Sequence, residues 1–380
     1  MDGDVKRLSI LGSTGSVGNQ TLEVVRAFPE QFNVVGLASN TNREGIINQS
    51  KEFHPDFVAC NNLSLADTAI LPENTKITDL AGVAAADNVD IVVAATAGYA
   101  ALPHTFHAIN LGRNIAIANK ETIVMAGSKL IEQSSIRGCK LLPLDSEPNA
   151  IWQCLRGEDS PVSRLFITAS GGAFRDRALD SFSKVTPAEA LEHPTWKMGP
   201  KITVDSATLM NKVFEVIEAK WLFNIRWDDI EVIIHPESII HSMVEFDDGS
   251  LKAQMSIPDM KLPIQYALFY PDRPKNDAIQ KLDPVELRSL TFKEIDHNKY
   301  PCFNMALKFA KMGGSMPSAL CGADEAAVEE FLSGRISFTE IHQVIENTLE
   351  QHLIIPDPSL TDMIDSAKWA ETKVRQLVGN

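Results

Sequence analysis

LSILGSTGSVG, residues 8–18, is a short apolar run that stops at a glycine and opens onto a helix-period segment. Gly12, Gly15 and Gly18 allow a tight turn and let the backbone approach a pyrophosphate. A helix N-terminus beyond them offers free N–H groups and a favourable dipole to that charge. The spacing is G-x-x-G-x-x-G rather than the commoner G-x-G-x-x-G, and such a turn alone is weak evidence. Its position gives it weight, because it heads an alternation of strands and helices. Candidate strands lie at 8–11, 33–38, 57–60, 90–94, 114–118 and 140–144, with helical periods such as 17–28 and 122–137 between them. That order predicts a Rossmann-like, doubly wound parallel sheet, an α/β fold.

Past residue 144 the pattern becomes mixed. A strand at 164–168 precedes two loops rich in Gly and Pro, and a long helix is expected from 207 to 222. Asp248-Gly249 supplies a hairpin turn between strands at 240–246 and 251–256. Pro271, Pro274 and Pro284 among charges mark 271–300 as a linker, and helical periods follow at 305–312, 323–333, 338–351 and 361–378. The expected organisation is a dinucleotide-binding domain at 1–144, a central α/β catalytic domain at 145–270, the linker, and a helical domain at 301–380.

Composition narrows the function classes. A chain of 380 residues suits two or three domains, and 44% hydrophobic with 22% charged residues is ordinary globular composition. The formal net charge of -15 argues against nonspecific nucleic-acid binding, yet a local pocket can still be positive. Cys60, Cys139, Cys154, Cys302 and Cys321 are scattered and contain no C-x-x-C pair, so reduced thiols are expected. No stretch approaches the roughly 18 apolar residues of a membrane span, and a strand so near the N-terminus leaves no room for a leader. A soluble, cytoplasmic protein is the expectation.

NAD-binding folds usually place an acidic residue after the second strand, for the ribose 2′-OH. Here the chain reads Ser39-Asn40-Thr41-Asn42-Arg43, with no carboxylate before Glu44. That favours the 2′-phosphate of NADPH. The plain alternative is that Asn40 and Asn42 shape a loop and Arg43 starts a solvated helix.

Two further constellations carry chemistry. Asp145 and Glu147, two apart at the end of a strand, would point the same way in extended chain and suit a hard divalent cation. Equally, they read as a helix cap and first turn. On the helix expected from about Ser206, Asn211, Glu215 and Glu218 share one face by their spacing. A solvated face explains that too, although Lys212 and a Ser206 hydroxyl at the helix start make an anion site plausible. Ser170-Gly171-Gly172 could cradle phosphate, though most such turns are only flexible. The loop from His193 through Trp196 to Gly199 has the look of a lid, though a loop tryptophan is more often a packing anchor. His235 and His241 read as ordinary, partly buried histidines.

The sequence resembles the 1-deoxy-D-xylulose 5-phosphate reductoisomerase family. The segments carrying the resemblance are LGSTGSVG (11–18), ANKE (118–121), PLDSEPNAIWQCL (143–155), ASGGAF (169–174), HPTWKMGPKITVDSATLMNK (193–212) and IHPESIIHSMV (234–244). The resemblance implies a homodimer that converts 1-deoxy-D-xylulose 5-phosphate to 2-C-methyl-D-erythritol 4-phosphate with NADPH and Mg2+ or Mn2+. It also implies that Asp145, Glu147 and Glu215 bind the metal and, with Lys120, form the catalytic set. On the substrate side it aligns Lys120, Ser146 and Glu147, the phosphate contacts Ser170, Ser206, Asn211 and Lys212, and His193 and Trp196 of the lid. Thr14, Gly15, Ser16, Val17, Asn40, Asn42, Asn119, Glu121 and Gly199 align with the cofactor side.

Departures from the family pattern are mild. Asn40 stands where a glycine is usual, Val213-Phe214 replaces Gly-Leu, residues 95–99 are bulkier than expected, and 321–325 replaces an Asn-rich helix start. Two other functions compete. A simple NADPH-dependent dehydrogenase of the homoserine-dehydrogenase type accounts for the first half but has no use for three metal-suited carboxylates. A non-catalytic NADPH-binding sensor predicts degraded ligands, whereas Lys120, Asp145, Glu147, Lys212 and Glu215 are all present.

Overall fold

Lys6–Leu11 (β1), buried from Leu8 onward, lies at the middle of a seven-stranded sheet. The computed structural model describes residues 5–196 and 198–379. The other strands of this sheet are Phe32–Ala38 (β2), Phe57–Ala59 (β3), Lys76–Ile77 (β4), Ile91–Ala94 (β5), Asn114–Ile117 (β6) and Leu141–Pro143 (β7). They run in the order β4-β3-β2-β1-β5-β6-β7, every neighbouring pair parallel. The parallel α/β sheet read from the alternation is therefore present. The strand at β4 was not expected, because two residues are too short to show a period. The order reverses at β1, which lies between β2 and β5, and such a switch point opens a crevice at the carboxyl ends of the strands.

By internal contacts the chain divides into two compact units, whose bounds differ from those expected. The first comprises residues 1–122, 128–149 and 259–280; the second comprises 123–127, 150–258 and 281–380. Residues 259–280, expected to close the catalytic domain and begin a linker, instead complete the first unit. Helix Lys261–Phe269 packs on helix Ser16–Ala27. Phe269 sets its ring 4.6 Å from Phe28 and 4.9 Å from Phe32, and Lys6 Nζ donates to Leu268 O at 2.6 Å.

In the second unit Val162–Ala169 (β8) pairs in parallel with Ile230–Ile234 (β9) and antiparallel with Ile240–Phe246 (β10). Leu251–Met255 (β11) completes the order β11-β10-β8-β9. The hairpin turns at Gly249 (φ +81), as the Asp-Gly pair predicted. The helical C-terminal region is present as Pro301–Ala310, Met316–Leu332, Glu340–Leu349 and Leu360–Val378. Gly322 permits the second and fourth of these to touch, since a Cβ there would lie 2.0 Å from Ala367 O. All five cysteines are free, and no helix among the described residues is long and apolar enough to cross a membrane.

The long helix expected at 207–222 is two helices. Pro200–Thr208 ends at Leu209, whose φ of +62 is left-handed, and Met210–Phe223 starts anew. Ser206 thus lies in the last turn of one helix, not at the start of the other, and Asn211 and Lys212 take the first turn of the second. The alternative of a solvated face does not hold: every residue from Met210 to Ala219 is buried. A helix buried all round must satisfy its polar side chains internally.

Candidate active site

The glycine turn of the first unit is built by close approach. Gly12 has φ +88, and a Cβ there would stand 2.5 Å from Ala95 O, so the loops after β1 and β5 meet at the switch point. At Gly18 a Cβ would lie 2.2 Å from Gly12 O, which lets helix Ser16–Ala27 close onto the turn. No side chain caps that helix, leaving its first N–H groups to another acceptor. Thr14 Oγ1 meets Ser39 Oγ at 2.6 Å, Gly15 and Ser16 are exposed, and Val17 is half-buried.

After β2, Asn42 Oδ1 caps the next helix by accepting from Gly45 N at 2.9 Å, and Asn40 Oδ1 accepts from Asn61 Nδ2 at 2.8 Å. Both asparagines shape the loop, and Arg43 pairs with Asp67. Asn119 is buried. Its Oδ1 accepts from Thr122 N at 2.8 Å, and its Nδ2 donates to Thr96 O at 2.7 Å and Gly98 O at 2.6 Å. Its amide thus ties the loop after β5 to the start of helix Lys120–Arg137, with Glu121 beside it at 3.2 Å.

Asp145 and Glu147 are not in extended chain. Ser146 begins helix Ser146–Leu155, so Asp145 immediately precedes it and Glu147 lies in its first turn, accepting from Ser146 Oγ. The helix-terminus reading of the sequence describes this geometry. It does not displace the chemical one, for Lys120, only 6% exposed, donates to Asp145 across 25 residues of chain. The pairing arises because β6 and β7 are neighbours and both residues follow their carboxyl ends.

In the second unit, His193, Ser170 and Ser206 form one cluster. His193 Nδ1 accepts from Trp196 N at 2.9 Å and Thr195 N at 3.1 Å, so the ring proton resides on Nε2. That nitrogen lies 3.0 Å from Ser170 Oγ and 3.2 Å from Ser206 Oγ. Gly172 closes the loop: its N donates to Ser170 Oγ at 3.1 Å, and a Cβ there would stand 2.5 Å from Ser206 O. Arg175, which sequence reading passed over, donates from Nη1 to Ser170 O at 2.8 Å and packs under Gly171. Its only signal was an arginine just after the ASGGAF motif. Trp196 is half-buried, 6.3 Å from the His241 ring, and Gly199 precedes helix Pro200–Thr208.

Below this cluster Glu215 is 1% exposed and accepts at both oxygens, from Asn211 Nδ2 and Lys212 Nζ, each at 2.6 Å. Lys212 is near enough for its charge to act on His193, and an ammonium close to two hydroxyls suits an anion. His235, fully buried, accepts at Nε2 from Ile239 N and Ile240 N and turns Nδ1 to Thr291 O, which is a structural role.

Burial, and then the charges of Lys212 and Arg175, lower the His193 pKa to about 4. Since the folded-state value lies below the unfolded one, the unfolded chain protonates first as pH falls. The stability this ring contributes is whole above roughly 6.5 and drains away between there and the folded value. Ring resonances of His193 are expected to hold constant from pH 8 to about 5.5. A midpoint near the ordinary histidine value would show that the ring carries charge instead of acting as a neutral donor.

The chain matches three family models: 1-deoxy-D-xylulose 5-phosphate reductoisomerase over residues 8–127, its C-terminal domain over 141–223, and the DXP reductoisomerase C-terminal domain over 255–373. It is 44% identical to the 1-deoxy-D-xylulose 5-phosphate reductoisomerase of Desulforamulus reducens, covering 99% of this chain and 100% of that one. It is 46% identical to 1-deoxy-D-xylulose 5-phosphate reductoisomerase 1 of Bacillus thuringiensis, covering 98% and 99%. Among solved structures it resembles a DOX-P reductoisomerase in complex with NADPH, fosmidomycin and magnesium (TM-score 0.90, 35% identity, 99% and 98% covered). The Zymomonas mobilis enzyme in complex with NADPH gives a TM-score of 0.91 at 35% identity, with 99% of each chain covered.

Proposed function

The chain belongs to the 1-deoxy-D-xylulose 5-phosphate reductoisomerase family, and from that premise we propose that it converts 1-deoxy-D-xylulose 5-phosphate to 2-C-methyl-D-erythritol 4-phosphate. NADPH and a divalent cation are its cofactors. The observation that carries the reading to this chain is the gathering of the Ser170 and Ser206 hydroxyls on one nitrogen of His193. That cradle, with Lys212 and Asn211, is where we place the substrate phosphate. A phosphate held away from the reacting carbons orients them and contributes binding energy to the reaction. The loop from His193 through Trp196 covers the substrate and keeps water out.

Asp145, Glu147 and Glu215 are the proposed ligands of the cation. Three carboxylates are a donor set that Mg2+ or Mn2+ takes. Lys120 already rests against Asp145 and Lys212 against Glu215, so these acids are disposed to hold positive charge. When bound, the ion supplies Lewis-acid chemistry toward a ketone and its neighbouring hydroxyl. NADPH supplies the hydride. Lys120, Ser146 and Glu147 line the substrate, Lys120 also positioning Asp145. Thr14, Gly15, Ser16 and Val17 meet the cofactor's pyrophosphate, and Asn40, Asn42, Asn119, Glu121 and Gly199 complete the cofactor side. A plain dehydrogenase or a sensor leaves the buried Asn211–Lys212–Glu215 group without a task.

We extend the proposal to a homodimer in the cytoplasm, with Mn2+ as an alternative ion; five free thiols accord with a reducing compartment. Incubation with 1-deoxy-D-xylulose 5-phosphate, NADPH and Mg2+ is expected to consume NADPH and yield the branched polyol phosphate. A chelator should stop turnover and added Mg2+ restore it. Absence of that product, or persistent turnover in metal-free buffer, would overturn the proposal.

A further inference from the structure

Beneath the glycine turn of the first unit lies a side chain that no motif marks. Gln49 belongs to helix Arg43–Phe53, is 8% exposed, and uses both ends of its amide on the turn. Its Oε1 accepts from Ser13 Oγ at 2.7 Å; its Nε2 donates to Ser13 O at 3.0 Å and to Asn19 Oδ1 at 3.1 Å. Asn19 in turn donates from Nδ2 to Thr14 O at 3.0 Å. Two consecutive carbonyls of the turn are therefore each held by an amide donor.

We propose that Gln49 is a positioning residue for the dinucleotide, clamping the turn so that it presents N–H groups and not carbonyl oxygens to the pyrophosphate. The inference rests on reading this unit as the NADPH site. A carbonyl rotated toward a phosphate repels it, and the turn's own glycines are free enough in φ and ψ to permit that rotation. Gln49 removes the freedom by giving the Ser13 carbonyl a buried partner, and Asn19 does the same for Thr14. The clamp also joins two parts of one ligand site. Helix Arg43–Phe53 starts directly after the Ser39–Asn42 loop, so Gln49 holds that loop's helix in register with the turn, alongside the Thr14–Ser39 hydroxyl contact.

The test is NADPH binding by the whole enzyme, followed by nicotinamide fluorescence, with steady-state kinetics and thermal unfolding beside it. Gln49→Met keeps the length and apolar stem of the side chain while removing both amide functions. It is expected to raise the NADPH Kd roughly tenfold, the loss of about 1.4 kcal/mol. The KM for the sugar phosphate, and kcat at saturating NADPH, should change less than about twofold, a split that general loosening of the fold would not produce. Gln49→Glu retains acceptance from Ser13 Oγ but sets a carboxylate against Ser13 O, and should bind no better than Gln49→Met. An unchanged NADPH Kd in a folded Gln49→Met overturns the proposal. Should that variant not fold, exposed Asn19→Ala decides: a Kd raised about threefold, for loss of the hold on Thr14 O and of the Gln49 contact, supports the clamp, and an unchanged Kd overturns it. Failure of the unaltered enzyme to bind NADPH would bring down the reading of the unit itself, and the clamp with it.

Discussion

Glu147→Gln is expected to lower turnover by more than about a hundredfold while leaving NADPH binding nearly intact. The substitution is close to isosteric and changes one thing, a charge. Glu147 lies in the first turn of helix Ser146–Leu155, where it accepts from the Ser146 hydroxyl, and an amide oxygen can keep that contact. Loss of fold is therefore not the expected route to lost activity. What an amide cannot keep is its affinity for a hard cation, since Mg2+ and Mn2+ favour charged oxygen ligands. The NADPH Kd serves as the internal control, since the proposed pyrophosphate turn at residues 12–18 does not include Glu147. Turnover at the parental rate would refute the assignment of Glu147 to the metal; equal loss of NADPH affinity would show that the helix start had been disturbed.

Glu215→Gln is expected to act twice, and the two effects can be separated. Glu215 is 1% exposed and Lys212 4% exposed, and they share a contact of 2.6 Å. Neutralising one member of a buried ion pair leaves its partner's charge poorly compensated, at a cost of about 3–5 kcal/mol in stability. Turnover should also fall by about a hundredfold or more if Glu215 is a metal ligand. Adding Lys212→Met removes the stranded ammonium, so the double variant should regain much of the stability and none of the turnover. Urea unfolding reads the first effect and NADPH consumption the second. Recovery of turnover in the double variant would overturn both the metal role of Glu215 and the phosphate role proposed for Lys212.

The architecture of the first unit was legible because parallel strands buried on both faces write continuous apolar runs, and all six expected strands agree with the structure to within two residues at either end. The sixth, at 140–144, is trimmed to Leu141–Pro143. The site was legible as residue types: Asp145, Glu147, Glu215, Ser170, Ser206 and Lys212 were singled out, but not what each would touch. The break at Leu209 was hidden, since a leucine in left-handed backbone has no sequence signature; only the surrounding packing holds it there. Gln49 was hidden for the complementary reason. Glutamine within a helix is unremarkable until the chain folds back and brings Ser13, 36 residues away, against it.

Local preference and spacing alone determined the alternating sheet, the glycine turn after the first strand, the Asp248-Gly249 hairpin and the helical tail, because each is written within a few residues of chain. Only tertiary structure decided that residues 259–280 return to the first unit, that the 210–219 helix is buried on every side, and that Lys120 meets Asp145. These depend on which apolar faces find one another across long loops. That is a property of the whole chain's packing, and no window of sequence contains it.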